Sequence, residues 1–229
     1  MMHEKRIVLD PRLSMIAEMV GRCETYADIG CDHGRLGAFL LQRGWVRQAL
    51  LMDISDSSLE KARALIRLLG LSERTRFLVC DGADALDCVP DVVVIAGMGG
   101  TTAAGIVERG RERFADARLI LQANVAIPEL RERLSCAGYR ISDERIVRDG
   151  RRYYIIIEAV PGHAAYDLRE LTVGPVLMQN RPQELAGYAD FRLRVAGKAM
   201  EGAMRGGEDN AIESLRKEIQ IWKDVRACL

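Results

Sequence analysis

Short runs of β-branched and apolar residues alternate with longer segments of helical periodicity over most of the chain. Strands are predicted near Tyr26–Ile29, Ala49–Met52, Phe77–Cys80, Val92–Ala96 and Leu119–Gln122. Helices are predicted near Leu36–Arg43, Ser57–Leu69, Thr101–Phe114 and Ile127–Ala137, with Ser57 as an N-cap and Gly70 just beyond a helix end. Strands that alternate with helices form a parallel sheet covered on both faces, so the pattern predicts a Rossmann-like α/β fold.

The segment "GYRISDERIVRDGRRYYIIIEAV" (Gly138–Val160) departs from this alternation. It contains two extended runs on either side of Asp149-Gly150, and an Asp-Gly pair in that position is a strong signal for a β-hairpin. The sequence therefore predicts a parallel sheet that ends in an antiparallel hairpin, which differs from a plain dinucleotide-binding fold.

The strand signal disappears after Pro161-Gly162, and the remaining sequence has helical periodicity. Two helices are predicted on either side of Gly206-Gly207, with Asp209 or Asn210 as the N-cap of the second. In that helix the spacing of Ile212, Leu215, Ile219 and Trp222 is typical of a helical hairpin or a short coiled coil. We therefore expect two domains, residues 1–162 and a smaller helical hairpin domain of residues 163–229.

The composition limits the classes of partner and compartment. The 229 residues include 33 basic and 33 acidic side chains, so a nucleic acid would have to bind at a local patch. The six cysteines form no CxxC or Cys/His spacing, which predicts reduced thiols in a cytoplasmic protein without a metal site. The start, "MMHEKRIVLDPRL", lacks the apolar core of a signal peptide, and no apolar run is long enough to span a membrane. The oligomeric state stays open, with a monomer as one alternative.

The stretch "YADIGCDHGRLGAFLL" (Tyr26–Leu41) places a glycine turn between a strand and a helix. A dinucleotide site needs a second glycine in this turn, where the backbone approaches the pyrophosphate, but Asp32 occupies that place. Two like charges about 4 Å apart repel by roughly 4 kcal/mol at an effective dielectric constant near 20. A phosphate is therefore disfavoured, whereas the cationic S-adenosyl-L-methionine suits a turn that carries Asp28 and Asp32.

Two further acids follow the next two predicted strands. Asp53 is placed to accept hydrogen bonds from ribose hydroxyls, and Asp81 is placed to receive an adenine amino group. The alternative is that these aspartates are turn formers and helix caps. The fourth strand leads into "IAGMGGTT", whose glycines allow a planar group to approach the backbone closely.

Four segments together resemble the bacterial tRNA (adenine-22 N1)-methyltransferases, the TrmK family: "ADIGCDHGRLG", "VIAGMGGT", "LILQANVAIPELRERL" and "GYRISDE". The resemblance runs from about Leu9 to the end of the chain, and it departs from the family at Gly34-Arg35 and Ala123. It implies a class I methyltransferase domain that binds S-adenosyl-L-methionine, followed by a helical extension that binds tRNA. The cofactor-binding residues that it implies are Arg12, Asp28, Gly30, Asp32, Asp53, Ile54, Asp81, Gly82, Ala96, Gly97, Met98 and Gly99.

Methyl transfer to N1 of an adenine depends mainly on alignment of the nucleobase. A strong proton acceptor is not required, because N1 already has a lone pair. We assign orientation of the nucleobase to His33, Gln122 and Asn124, and His33 is also a candidate proton acceptor. The alternatives are a turn histidine that bonds to the backbone, and helix capping by Gln122 and Asn124.

RNA contacts are predicted at two groups of cations, one in the hairpin and one in the tail. The candidates are Arg145, Arg148, Arg151, Arg152, Arg192, Arg194 and Lys198. A solvated helical face explains the charges of the tail almost as well. Two other functions stay open on the residues alone, a small-molecule methyltransferase and a non-catalytic RNA-binding protein with a methyltransferase fold.

Overall fold

The computed structural model describes residues 7–229, and this part of the chain forms one mixed β-sheet with helices around it and a helical C-terminal region. The strands are β1 (Cys23–Ile29), β2 (Val46–Asp53), β3 (Thr75–Val79), β4 (Val92–Met98), β5 (Arg118–Ala123), β6 (Tyr139–Asp149) and β7 (Arg152–Pro161). The helices are α1 (Pro11–Val20), α2 (Arg35–Gln42), α3 (Asp56–Leu68), α4 (Gly100–Phe114), α5 (Ile127–Cys136), α6 (Leu168–Val173), α7 (Pro175–Asn180), α8 (Glu184–Gly206) and α9 (Asp209–Ala227).

The strand order of the sheet is β3-β2-β1-β4-β5-β7-β6. The pairs among β1 to β5 are parallel, whereas β7 runs antiparallel to both β5 and β6. The predicted Rossmann-like fold with a terminal antiparallel hairpin is therefore confirmed. The order reverses between β1 and β4, and in sheets of this kind ligands bind outside the carboxyl ends of the strands at such a reversal.

The central strands are apolar on both faces because helices cover both sides of the sheet. Val92, Val93, Val94 and Ile95 of β4 are all fully buried. Each such side chain contributes about 1.5–3 kcal/mol to the stability of the fold through burial. The core is therefore centred on β1 and β4, and it holds their carboxyl ends in a defined place.

Several helix boundaries differ from those predicted. Helix α1 is absent from the predicted elements. It begins after Asp10, whose carboxylate accepts a hydrogen bond from the Leu13 N–H at 2.8 Å. The N-cap of α3 is Ser55 rather than the predicted Ser57, and its hydroxyl accepts a hydrogen bond from the N–H of Ser58. The reason for this shift is that Asp53 fixes the start of the turn, because its carboxylate also binds the N–H of Ser55.

The chain divides into two compact units, one that extends to Ala165 and one from Tyr166 to Leu229. In the second unit, α8 and α9 pack together as a helical hairpin, and a left-handed Gly207 ends α8. Trp222 is fully buried and meets the ring of Tyr188 edge-on at 5.3 Å. The residue that precedes α9 at its N-cap is Glu208, not the predicted Asp209 or Asn210, and the short helices α6 and α7 were not predicted.

Among the described residues, no helix is long and apolar enough to cross a membrane. Within residues 7–229, no three His, Cys, Asp or Glu side chains lie together in a way that could hold a metal ion.

Candidate active site at the carboxyl ends of β1 and β4

The turn after β1 is held tightly against its neighbours. The N–H groups of Gly30 and Cys31 both donate to the carbonyl oxygen of Met52, at 2.9 and 3.0 Å, which folds the turn towards β2. Gly34 ends the turn with a φ of +65°, and a Cβ there would lie 2.9 Å from the Cβ of Ala62. A glycine is needed at this position because the backbone is left-handed and because α3 packs against it.

A cavity of about 360 Å³ lies at this edge of the sheet. This volume is within the range of small-molecule sites. Its lining includes the predicted residues Arg12, Asp28, Gly30, Asp32, His33, Ala96 and Gly97. It also includes Leu13, Cys31, Arg35 and Leu36, which were not predicted as site residues. The segment "DPRL" has the Asp-Pro pair that is typical of a helix start. This signal could have indicated that Leu13 lies at the site together with Arg12.

Asp28 is a buried carboxyl group in this lining. Its pKa is raised to about 6, chiefly by burial and to a lesser extent by the negative charge of Asp53, while the Tyr26 hydroxyl and the Arg12 guanidinium lower it. A buried carboxylate without a full counter-charge attracts a cationic ligand. The cavity therefore has the electrostatic character that a sulfonium or ammonium group requires.

Asp53 and Asp32 are linked across the turn. The Asp53 carboxylate accepts hydrogen bonds from the N–H groups of Asp32, at 3.2 Å, and of Ser55, at 2.9 Å. Each of its oxygens keeps a lone pair for a further donor, such as a hydroxyl group. His33 bonds through Nδ1 to the Asp32 carboxylate at 2.5 Å, which differs from the alternative of a bond to the backbone.

The remaining predicted cofactor residues lie at the ends of β2, β3 and β4, outside the lining of the cavity. Ile54 is exposed, and the Asp81 carboxylate accepts a hydrogen bond from Arg109 at 3.1 Å. Gly82 has a left-handed φ of +59° and lies against Ile106. Met98 and Gly99 form the turn from β4 into α4. Their roles with an adenine or a ribose stay predictions.

Arg12, Gln122 and Asn124 form one hydrogen-bonded chain. The Arg12 guanidinium donates to Gln122 Oε1 at 2.7 Å, and Gln122 Nε2 donates to Asn124 Oδ1 at 3.1 Å. Asn124 Nδ2 then donates to the carbonyl oxygen of Gly97 at 2.9 Å, instead of capping α5. Gln122 is fully buried whereas Asn124 is exposed, so the geometry favours direct contact with a base for Asn124 and not for Gln122.

The cations predicted to contact RNA are in different surroundings. In the hairpin, Arg151 and Arg152 are exposed. Arg148 is also exposed, and its guanidinium donates to the Gly150 carbonyl oxygen, while Arg145 pairs with Asp143 at 3.0 Å. These four side chains remain candidates for phosphate contacts.

In the helical unit, Arg194 and Lys198 are exposed and lie four residues apart on α8. Arg192 is half-buried and pairs with Glu218 of α9 at 2.5 Å, so it bridges the two helices. This ion pair favours a stabilising role for Arg192 over the predicted contact with RNA.

The fold and the site define the chain as a class I methyltransferase, and a family described as "Methyltransferase domain" matches residues 9–157. The chain is also 32% identical over 181 residues to the tRNA (adenine(22)-N(1))-methyltransferase of Bacillus subtilis (strain 168), which covers 76% of each chain. The chain therefore belongs to the tRNA (adenine-22 N1)-methyltransferase family.

Solved structures with a similar fold span nearly the whole chain. A Streptococcus agalactiae protein of the NADB-Rossmann superfamily has a TM-score of 0.90 and 25% identity, covering 98% of this chain and all of its own. A Streptococcus pneumoniae protein, proposed to be a tRNA (m1A22) methyltransferase and crystallised with S-adenosyl-L-methionine, has a TM-score of 0.86 and 26% identity. That match covers 96% of this chain and 100% of the pneumococcal one, so the likeness includes the C-terminal helices.

Proposed function

We infer that this protein transfers a methyl group from S-adenosyl-L-methionine to N1 of an adenine in tRNA, at position 22 as in the family to which it belongs. The observation that carries the inference is the cavity at the β1–β4 reversal, which is lined by the buried carboxyl group of Asp28 and by Gly97, whose carbonyl oxygen binds the exposed amide of Asn124. The first group suits a cationic methyl donor, and the second suits the polar edge of a base.

The residues of the site fit S-adenosyl-L-methionine by their charge. This molecule supplies an activated methyl group on a sulfonium cation and carries an ammonium group and a ribose diol. Asp28, Gly30 and Asp32 would hold its methionyl end, and the free lone pairs of Asp53 would accept its ribose hydroxyls. Ile54 would lie on the ribose side with Asp53, and Asp81 and Gly82 would hold the adenine, with Ala96 to Gly99 as the wall beside the methyl group.

The protein's contribution to the reaction is alignment, since N1 of adenine attacks with its own lone pair. Asn124 is held rigidly at the end of β5 and faces solvent, which is where an incoming base would arrive. The His33 imidazole, bound to Asp32, lines the same cavity and can accept a proton after the transfer. Because N1 lies on the pairing edge, the target nucleotide must be unpaired or extruded.

The test is to incubate the full-length protein with methyl-labelled cofactor and bulk tRNA, and then to digest the tRNA to nucleosides. We expect the label in 1-methyladenosine, at position 22 of the tRNA when fragments are mapped. Label in another nucleoside, or transfer to small molecules but not to tRNA, would contradict the proposal.

Asp53→Ala tests whether the observed transfer depends on this cavity. We expect a loss of cofactor affinity of about five- to 150-fold, because a ribose that loses two hydrogen bonds loses about 1–3 kcal/mol of binding. Asp56→Ala is a matched control, since Asp56 is an exposed carboxylate in the first turn of α3. If the two variants bound the cofactor with equal affinity, Asp53 would not be part of the binding site.

A further inference from the structure

The buried amide of Gln122 has a fixed orientation. Both of its ends are hydrogen-bonded, with Oε1 towards Arg12 and Nε2 towards Asn124. An arginine side chain carries only donors, so it can meet the oxygen of the Gln122 amide but never its nitrogen. Arg12 therefore determines which end of this amide faces Asn124.

Arg12 is itself held in place from two sides. It is the second residue of α1, whose first turn is capped by Asp10, and its guanidinium lies 5.7 Å from the centre of the Tyr154 ring. A cation over an aromatic face is stabilised by the ring electrons. The donor that orients Gln122 thus has little freedom to turn away.

The orientation of the Asn124 amide depends on that of the Gln122 amide. Because Gln122 presents an N–H, the Asn124 amide must turn its oxygen towards Gln122 and its nitrogen towards the Gly97 carbonyl oxygen. The backbone N–H of Asn124 donates to the Met98 carbonyl oxygen at 2.9 Å, which anchors the residue between β4 and β5. The Asn124 oxygen keeps one lone pair, and the residue is exposed beside Gly97, which lines the cavity.

The orientation of the Asn124 amide affects which nucleobase the site accepts. An acceptor beside N1 can bind the exocyclic amine of adenine and leave the N1 lone pair free to attack. A reversed Asn124 amide would present a donor, which repels the amine hydrogens and competes for N1. The direction of the hydrogen-bonded chain is therefore suited to adenine.

We propose that Arg12 and Gln122 are positioning residues, which act in series to turn the Asn124 carbonyl oxygen towards the exocyclic amine of the target adenine. The proposal rests on the proposed methylation of adenine N1. It gives Arg12 a role with the nucleobase instead of the role with the cofactor that the family resemblance implies, and it makes Asn124 the residue that touches the base.

The test compares two full-length tRNAs, one with adenosine and one with purine riboside at the target position. Purine riboside keeps N1 but lacks the exocyclic amine. The intrinsic reactivity of each base is the same for every protein variant, so a change in the ratio of kcat/KM values between the two tRNAs reports on contact with the amine. Cofactor affinity is measured separately by calorimetry.

For Arg12→Met we expect the preference for adenosine to fall about five- to thirtyfold relative to the wild type. This is the effect expected from the loss of one or two hydrogen bonds. Arg12→Lys keeps a donor and should retain most of the preference. Gln122→Glu is nearly isosteric, keeps the bond to Arg12 and replaces the donor to Asn124 by an acceptor, so it should also lose the preference. In an Asn124→Ala background, Arg12→Met should change the ratio no further.

One control variant and three contrary outcomes distinguish this proposal from its alternatives. Arg47→Met removes an exposed arginine at the amino end of β2 and should leave the ratio unchanged. An Arg12→Met variant that binds cofactor tenfold more weakly but keeps its preference for adenosine would overturn the proposal and place Arg12 on the cofactor. An unaltered ratio in a folded Gln122→Glu variant would overturn it independently. Absence of transfer to both tRNAs by the wild type would instead refute the proposed function itself, and this inference with it.

Discussion

Asp28 shows at the scale of one residue how burial prepares a site for a cation. Its pKa of about 6 lies above the ordinary value of 3.8, chiefly because burial disfavours the carboxylate. The folded protein therefore holds a proton that the unfolded chain releases between about pH 4 and pH 6. The corresponding stability is present below this window and is lost as the pH rises through it, by about 3 kcal/mol.

The same ionisation predicts a pH dependence of cofactor binding. Because the carboxylate form attracts the cation, we expect the Kd of S-adenosyl-L-methionine to be constant above about pH 7 and to rise towards tenfold for each pH unit below 6. Calorimetry between about pH 5 and pH 8, at steps of roughly half a pH unit, measures this Kd.

Asp28→Asn should bind more weakly and without this pH dependence. His33→Gln is the control, because it removes a neighbouring side chain of the same cavity and leaves Asp28 in place, and it should keep the dependence. If the wild type and Asp28→Asn gave parallel profiles, the titrating group would be another one.

At the scale of elements, the site depends on the close approach of the β4–α4 turn to the loop between β5 and α5. The N–H of Gly100 donates to the Val125 carbonyl oxygen at 2.9 Å. A Cβ on Gly100 would lie 2.0 Å from the carbonyl oxygen of Ala126, which is backbone and cannot rotate away. This contact keeps Gly97 and Asn124 within hydrogen-bonding distance.

Gly100→Ala should therefore force the two segments apart and destabilise the fold by about 1–3 kcal/mol, measured by urea unfolding. Gly105→Ala in the same helix is a matched control. Its nearest neighbours are the ends of Arg109 and Arg133, at 3.6 and 3.8 Å, so the change should be neutral or stabilise by up to about 1 kcal/mol through helix propensity. Equal unfolding free energies for the two variants would show that the β5–α5 loop adjusts freely.

At the scale of the whole molecule, the question is which charges of the helical unit serve a nucleic acid and which hold the hairpin together. Arg194 and Lys198 are exposed cations one helical turn apart, whereas Arg192 pairs with Glu218. Phosphate contacts make binding depend on salt, because each contact releases counterions.

We expect Arg194→Gln with Lys198→Gln to weaken tRNA binding and to reduce the slope of log K against log salt by up to about 2. Arg192→Gln should leave the slope unchanged and instead lower the stability of the protein by about 1 kcal/mol or less. Filter binding at several salt concentrations and thermal unfolding measure the two effects. If Arg192→Gln reduced the salt slope and the double variant did not, Arg192 would be the residue that contacts RNA.

Local patterns predicted the elements well where the signal came from neighbouring residues. The Asp149-Gly150 hairpin follows from the residues of the turn itself, and Gly70 follows α3 with a left-handed φ of +68° as expected. The sequence predicts Ser57 as the N-cap of α3, whereas the structure has Ser55 there. Both serines satisfy the capping preference, and only the contact with Asp53 distinguishes them.

The sequence by itself determined the alternation of strands and helices and the position of acids after strands, because these are properties of neighbouring residues and their periodicity. Only the tertiary structure decided that Arg12 meets Gln122, 110 residues further along the chain, and that Gln122 is buried while Asn124 is exposed. The physical reason is that such contacts depend on how α1 and the end of β5 pack together in space. No local pattern of residues encodes that packing.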